Sequence, residues 1–264
     1  MKITFYGYNT FIIEVDGKKI AIDPGVLCFY YFRLTTLIPK SEWHDITHIL
    51  VTHGDPDHYW HADRVAAASK AMVVLNDSMI RDVAGEKLAL GPRDKGVVFT
   101  THFDHVTTLA VDEEKNIDGL LVRGAKATHG PLTIKLGPFS KTVAPSEHER
   151  IGWGAIGFSV KAGDKTFVNL GDTLLHKHEW ENISAPDVLM IPIGGYRYHN
   201  TMDEKEALEA VKIIRPKLVI PCHYNCPALF TRRYNPADDI GFKRDVEKLG
   251  FDCTVLNVGE SLVL

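Results

Sequence analysis

Hydrophobic and polar positions alternate over short distances along most of this chain. Ile3 to Phe5, Phe11 to Val15 and Lys19 to Ile22 read as strands, and Asp16-Gly17 marks a tight turn between the last two. Asp23-Pro24-Gly25 ends that run. Val26 to Leu37 is apolar without a clean period and holds Phe29, Tyr30, Tyr31 and Phe32 in a row, which suits core packing or the wall or lid of a pocket. Ile46 to Thr52 reads as a buried strand running straight into His53-Gly54-Asp55-Pro56-Asp57-His58, with a helix around Trp60 to Ser69. Ala71 to Leu75 is again a strand, and Ser78 is placed to cap a short helix to Ala84. Gly96 to Ala127 alternates strand-like pieces with turns and ends at Thr128-His129-Gly130. Pro131 to Arg150 has no readable period and is expected to be an irregular surface excursion.

The second half repeats the scheme. Ala155 to Val160 and Thr166 to Leu170 form a hairpin around Gly163-Asp164 that delivers Gly171-Asp172-Thr173. Val188 to Pro192 is a buried strand. Thr201-Met202-Asp203-Glu204 has capping-box spacing and opens an amphipathic helix to Ile214, stopped by Pro216. Leu218 to Ile220 is a strand feeding Pro221-Cys222-His223-Tyr224, and a helix from about Ala237 to Leu249 with two strands closes the chain. No low-complexity linker or composition break divides the halves. The expectation is one domain, residues 1–264, of mixed α/β type with two sheets and helices outside them.

Composition narrows the class. With 264 residues, 45% hydrophobic and 24% charged, the chain is ordinary for a globular protein and unlike disordered, fibrous or collagenous sequences. A formal net charge of −4 gives no basic footprint, so nucleic acid is not an expected partner. Cys28, Cys222, Cys226 and Cys253 are too scattered for a disulfide framework and read as buried thiols of a reducing compartment. Met1-Lys2-Ile3-Thr4-Phe5 enters a strand pattern with no secretory signal, and no apolar run approaches the ~18 residues of a membrane span. A cytoplasmic location is expected.

The chemistry lies where strands end. Five predicted strands terminate in metal-competent side chains on loops: Asp23, the cluster from His53 to His58, His129, Asp172 and His223. In the cluster, Gly54 and Pro56 forbid a helix and let the loop turn so that alternate side chains converge. A solvated turn with capping carboxylates would explain the cluster alone. It does not explain three further metal-competent residues, His129, Asp172 and His223, at similar strand ends.

These residues resemble the metallo-β-lactamase superfamily of metal-dependent hydrolases, whose signature H-x-H-x-D-H is followed by a distant His, a Gly-Asp and a last His. They fall in order on His53, Asp55, Asp57, His58, His129, Asp172 and His223, and Asp23-Pro24 matches the family's early Asp. Gly194-Gly195, Thr201-Met202 and Pro221-x-His223-Tyr224 are similar to the branch holding the L-ascorbate-6-phosphate lactonase and the phospholipase-D-type hydrolases of N-acyl ethanolamine lipids. The resemblance implies a four-layer αββα sandwich and two divalent metal ions. His53, Asp55 and His129 would hold the first, Asp57, His58 and His223 the second, and Asp172 would bridge them. Asp57 would orient a metal-bound hydroxide that attacks a small-molecule ester, lactone or phosphoester, and Asp23 would fix a ligand histidine from behind. One departure is Asp55, where the family has a second His. A carboxylate there makes the first site harder and shifts its preference from zinc toward manganese or iron, and weak binding by Asp55 would leave a single metal.

Other readings stay open. Arg197 and His199, on the loop from Gly194 to Asn200, either touch substrate or belong to a surface loop. His61 is expected on a helix surface, and His44, His48, His102, His105, His148, His176 and His178 in solvent. A di-iron protein of oxygen or nitric-oxide chemistry shares the fold and a carboxylate at the second position, but would need a separate electron donor. A nuclease of the same fold would need a cap domain or RNA-binding arm for which this chain has no long insertion. The aromatic run from Phe29 to Phe32 suits a lid, a lipid contact or a subunit interface in a homo-oligomer.

Overall fold

Period-two alternation sorts the strand residues onto two faces, and the faces build the layers. A computed structural model of the chain describes residues 1–27, 35–83, 86–90, 100–101, 103–136, 139–145, 152–183, 185–228 and 231–264. One seven-stranded sheet runs in the order Val106–Leu109, Met72–Asn76, His48–Leu50, Lys18–Ile22, Phe11–Val15, Lys2–Phe5, Ser261–Val263. A second runs Glu114–Ile117, Leu120–Lys126, Ile156–Ala162, Lys165–Asn169, Val188–Pro192, Leu218–Cys222, Asp252–Cys253. Each sheet joins an antiparallel part to a parallel part.

Phe11, Ile13, Ile20, Ile22, Leu50 and Val74 point between the sheets, where they meet Val122, Phe158, Val160, Phe167, Val188, Met190 and Ile220. The intervening Ile12, Ala21, Ile49, Val73 and Leu75 face outward onto Ala62, Val65 and Ala66 of the helix Ala62–Ser69. On the far side Val168, Leu189, Ile191 and Val219 pack under Ala207, Ala210, Val211 and Ile214 of the helix Glu204–Ile214, and under Phe242 and Val246 of the helix Asp239–Lys248. Spacing of three and four residues lines one helix face, just as alternation lines one strand face. The result is the expected four-layer αββα sandwich. Burial of each Val, Leu, Ile or Phe side chain contributes about 1.5–3 kcal/mol, so this double-sided packing holds the strand ends rigid.

Several local expectations shift. Pro131 to Arg150 is not wholly irregular: Leu132–Leu136 pairs with Phe139–Val143. Ser78 does not start a helix; a single 3₁₀ turn, Asp77–Met79, leads into the strand Ile80–Val83, paired with Glu86–Leu90. The capping box is built by Asp203 with Glu206 instead of Thr201 with Glu204, because Thr201 Oγ1 is tied to Thr173. The run from Phe29 to Phe32, together with Cys28, His102 and His148, lies outside the described residues. Cys222, Cys226 and Cys253 are free thiols and buried. Among the described residues no helix is long and apolar enough to cross a membrane.

Candidate metal centre

Every predicted ligand sits just past the C-terminal end of a strand. From the first sheet, Lys18–Ile22 leads to Asp23, and His48–Leu50 leads to the loop from His53 to His58. From the second sheet, Leu120–Lys126 leads to His129, Lys165–Asn169 to Asp172, and Leu218–Cys222 to His223. The loop after His48–Leu50 is held in shape by close backbone contacts. Gly54 N–H donates to Trp153 O, Pro56 opens a one-turn helix Pro56–Tyr59, and a side chain on Gly25 would strike Asp57 O at 1.7 Å. Gly152 is pressed against His129, where a Cβ would lie 2.3 Å from that residue's own Cβ, and adopts φ +68°. Only a glycine tolerates both conditions.

The structure brings His53, Asp55, Asp57, His58, His129, Asp172 and His223 together. His53 Nε2 lies 3.5 Å and His129 Nε2 lies 3.6 Å from Asp55 Oδ2. His58 Nε2 and His223 Nε2 lie 3.5 and 3.3 Å from Asp57 Oδ2 and 3.3 Å from each other. Between the two groups, Asp172 Oδ2 reaches His223 Nε2 at 3.1 Å, His129 Nε2 at 3.7 Å and His58 Nε2 at 3.9 Å. Three sets have donor atoms within 4.8 Å of one another: His53 with Asp55 and His129, Asp57 with His58 and His223, and His53 with His58 and Asp172. His53 Nε2 and Asp172 Oδ1 are buried and, among the described residues, have no hydrogen-bond partner. His53 and Asp172 belong to one of those sets, and unpartnered buried atoms among nitrogen and carboxylate donors fit a divalent cation.

Behind the cluster, each imidazole is aimed by its other nitrogen. His58 Nδ1–H donates to Asp23 Oδ2 at 2.7 Å. The Asp23 carboxylate also accepts from Thr52 N–H at 2.7 Å, Thr52 Oγ1–H at 2.6 Å and Asn9 Nδ2 at 2.6 Å. His53 Nδ1–H donates to the same Thr52 oxygen at 3.1 Å, and His129 Nδ1–H donates to Gly130 O at 2.6 Å. Such contacts fix the tautomer so that Nε2 points inward. His223 Nδ1 meets the amide of Asn235 at 2.9 Å, while Asn235 Oδ1 has no partner among the described residues. Turning that amide end for end places Oδ1 on His223 Nδ1–H, the arrangement that leaves Nε2 free to ligate.

Charge within the cluster is uneven. Burial resists ionisation of Asp57, yet His58 and His223 outweigh it and hold the carboxyl well below the usual range. Burial opposes the His58 cation too, but Asp57, Asp23 and Asp172 hold the ring well above its ordinary value. At the other end burial, reinforced by Asp57, raises Asp55 to about 6 against the opposing pull of His129. Burial likewise raises Asp172 and lowers His53 and His129. Gly152 N–H donates to Asp55 Oδ1 at 2.9 Å, which leaves Oδ2 facing the two histidines.

Arg197 and His199 are exposed on the loop beside this cluster. Gly130 N–H donates to Asn200 O at 2.7 Å and so ties that loop to the residue next to His129. His48 and His61 are 1% and 4% exposed, contrary to the solvent positions expected. His48 Nε2–H donates to Ile117 O at 3.2 Å, and His61 precedes its helix with its ring 6.0 Å from that of Trp43. Sequence reasoning missed Asn9, Thr52, Gly152, Tyr234 and Asn235. Only Thr52, next to His53, had a positional signal. Tyr234 stacks on Tyr198 with centroids 5.1 Å apart and meets His223 edge-on at 6.4 Å. Burial, then the charges of Asp57, Asp172 and Asp55, push its phenol well above the ordinary range.

An αββα sandwich with a histidine–aspartate cluster at the strand ends defines a metallo-β-lactamase-fold protein. The chain matches the model of the beta-lactamase superfamily domain over residues 2–223. It is 30% identical to a UPF0173 metal-dependent hydrolase of Carboxydothermus hydrogenoformans over the whole of both chains. A relative of the same description from Pelotomaculum thermopropionicum is 31% identical, again with 100% of each chain covered. Among solved structures, Igni18, a metallo hydrolase of Ignicoccus hospitalis, superposes with a TM-score of 0.70 at 25% identity, covering 99% of this chain and 97% of that one. The chain belongs to the beta-lactamase superfamily and, within it, to the UPF0173 metal-dependent hydrolases.

Proposed function

We propose that this protein hydrolyses a small ester, lactone or phosphoester at a centre of two divalent cations, one held by His53, Asp55 and His129 and one by Asp57, His58 and His223, with Asp172 shared. The observation that carries the reading is the orphaned pair His53 Nε2 and Asp172 Oδ1, buried inside a ring of donors. A buried polar atom left without a partner costs about 1–3 kcal/mol, and a cation supplies that partner. Cations in this place supply Lewis acidity and lower the pKa of bound water toward ~7.

The chain's own residues do the rest. Asp23 and Thr52 hold His58 and His53 with Nε2 inward, so little reorganisation is needed at the moment of reaction. Asp57 stays ionised between His58 and His223 and orients the attacking water with its carboxylate. Asp55 lowers the positive charge of the loaded centre by one relative to an imidazole, which favours manganese or iron over zinc. Arg197 offers a planar fork to a carboxylate or phosphate on the substrate, with His199 beside it.

Metal analysis of protein purified without added metal, with a panel of lactones and phosphodiesters, tests this reading. Two equivalents per chain and turnover of a panel member are expected. Two irons with a redox-active signal and no hydrolysis would replace it with oxygen chemistry. One equivalent, rising to two in Asp55→His, would show that Asp55 does not ligate.

A further inference from the structure

Tyr234 closes the short hairpin Cys226–Ala228 with Thr231–Tyr234 and lies beside His223. Its ring is held by the stack on Tyr198 and the edge contact with His223, and Arg197 Cζ covers Tyr198 at 5.4 Å from the ring centroid. The Asn200 side-chain amide lies 3.4 Å from Tyr234 Oη. Asn200 Oδ1 has no partner among the described residues, so the amide can stand either way round toward the phenol. At 3.4 Å neither arrangement holds the O–H firmly, and its proton can turn to a substrate oxygen. Tyr8 provides the contrast. It also meets His223 edge-on, at 5.7 Å, but its hydroxyl donates to Pro227 O.

We infer that Tyr234 is a catalytic residue whose O–H donates a hydrogen bond to the substrate's carbonyl or phosphoryl oxygen as negative charge gathers on it. The inference rests on the hydrolytic reading above. The two ring contacts fix the phenol before substrate arrives, and a donor already in place is worth more than one that must be ordered. No bond to Tyr234 forms or breaks, and the proton stays on the phenol. Arg197, two rings further out, then lies where a second anionic group of the same substrate would sit.

The test compares Tyr234→Phe, which keeps the ring and deletes only the hydroxyl, with Tyr234→Ala. In the manganese-loaded protein, Tyr234→Phe is expected to lower kcat on a model lactone or p-nitrophenyl acetate by roughly 10²-fold, with KM within about threefold and metal content unchanged. Acetate, an oxyanion resembling a product, is expected to bind about tenfold more weakly by calorimetry. If Tyr234→Phe matches the parent in kcat and acetate affinity while Tyr234→Ala loses both, the ring is only a wall and the inference is wrong. If the parent protein turns over no substrate in the panel, the hydrolytic reading fails by itself. Acetate titration then judges the phenol: equal affinity in Tyr234→Phe overturns the assignment, and a loss retains Tyr234 as an oxyanion donor.

Discussion

At Asp23 a carboxylate with no exposed surface, in a backbone conformation of φ +47°, faces donors from Asn9, Thr52 and His58 at once. Asp23→Asn replaces one acceptor oxygen with an NH₂ group that has nowhere to donate. We expect metal affinity to fall about 10–100-fold, read by competition with a chelator, because the histidine it aims loses its anchor. The candidate ligands were legible because six consecutive residues, His53 to His58, carry four of them. The expectation that Gly54 and Pro56 forbid a helix there fails for half of the run. Pro56 occupies the first position of the one-turn helix Pro56–Tyr59, where its missing N–H costs nothing, and Asp57 and His58 sit on that turn. Asn235 and Asn9 were not legible. Each is an asparagine in a loop with no motif around it, and its partners lie on other loops or strands, at His223 for one and at Asp23 and Asn169 for the other. His61 was misplaced because spacing from His58 located the helix but not its first residue, and the residue before a helix can turn inward.

Helix Glu204–Ile214 shows how an element can be right while its cap is wrong. The amphipathic spacing of Ala207, Ala210, Val211 and Ile214 fixes the helix, but two overlapping capping signals precede it. Asp203 wins because its carboxylate receives Lys205 N–H and Glu206 N–H, both at 2.9 Å, while Thr201 is occupied elsewhere. Asp203→Ala is therefore expected to cost about 1 kcal/mol and to lower Tm by roughly 2–4 °C, with metal content unchanged; calorimetry of matched metal-loaded samples checks it. The segment after Asn76 fails in the opposite sense. Asn76 Oδ1 accepts from Ser78 N–H and confines the turn, after which Ile80 and Val83 enter a strand, the state β-branched residues prefer.

For the whole molecule, alternation announced two sheets with covered outer faces, but the order of strands depends on pairings between distant segments that no local pattern encodes. His48 belongs to that scale. It stands in one sheet and hydrogen-bonds Ile117 O at the edge of the other. Burial lowers its pKa, more than the Ile117 contact and Asp118 raise it. The unfolded chain therefore takes up a proton near pH 6.5 that the native ring refuses, so stability is full above that pH and is lost as pH falls toward the lowered native value. His48→Asn should flatten the pH dependence of unfolding below pH 6.5, by at most about 1.4 kcal/mol per unit; denaturant titrations across pH 5–7 measure it. An unchanged slope would show that His48 does not carry this term.

The candidate ligands come from both sheets, with His53, Asp55, Asp57 and His58 on one and His129, Asp172 and His223 on the other. A cation that draws them together is then a rivet through the seam of the sandwich. By linkage its binding energy reappears as resistance to unfolding, growing as RT ln(1 + [metal]/Kd). A melting curve of this protein at a series of metal concentrations is in effect a binding isotherm, and one that requires no knowledge of the substrate.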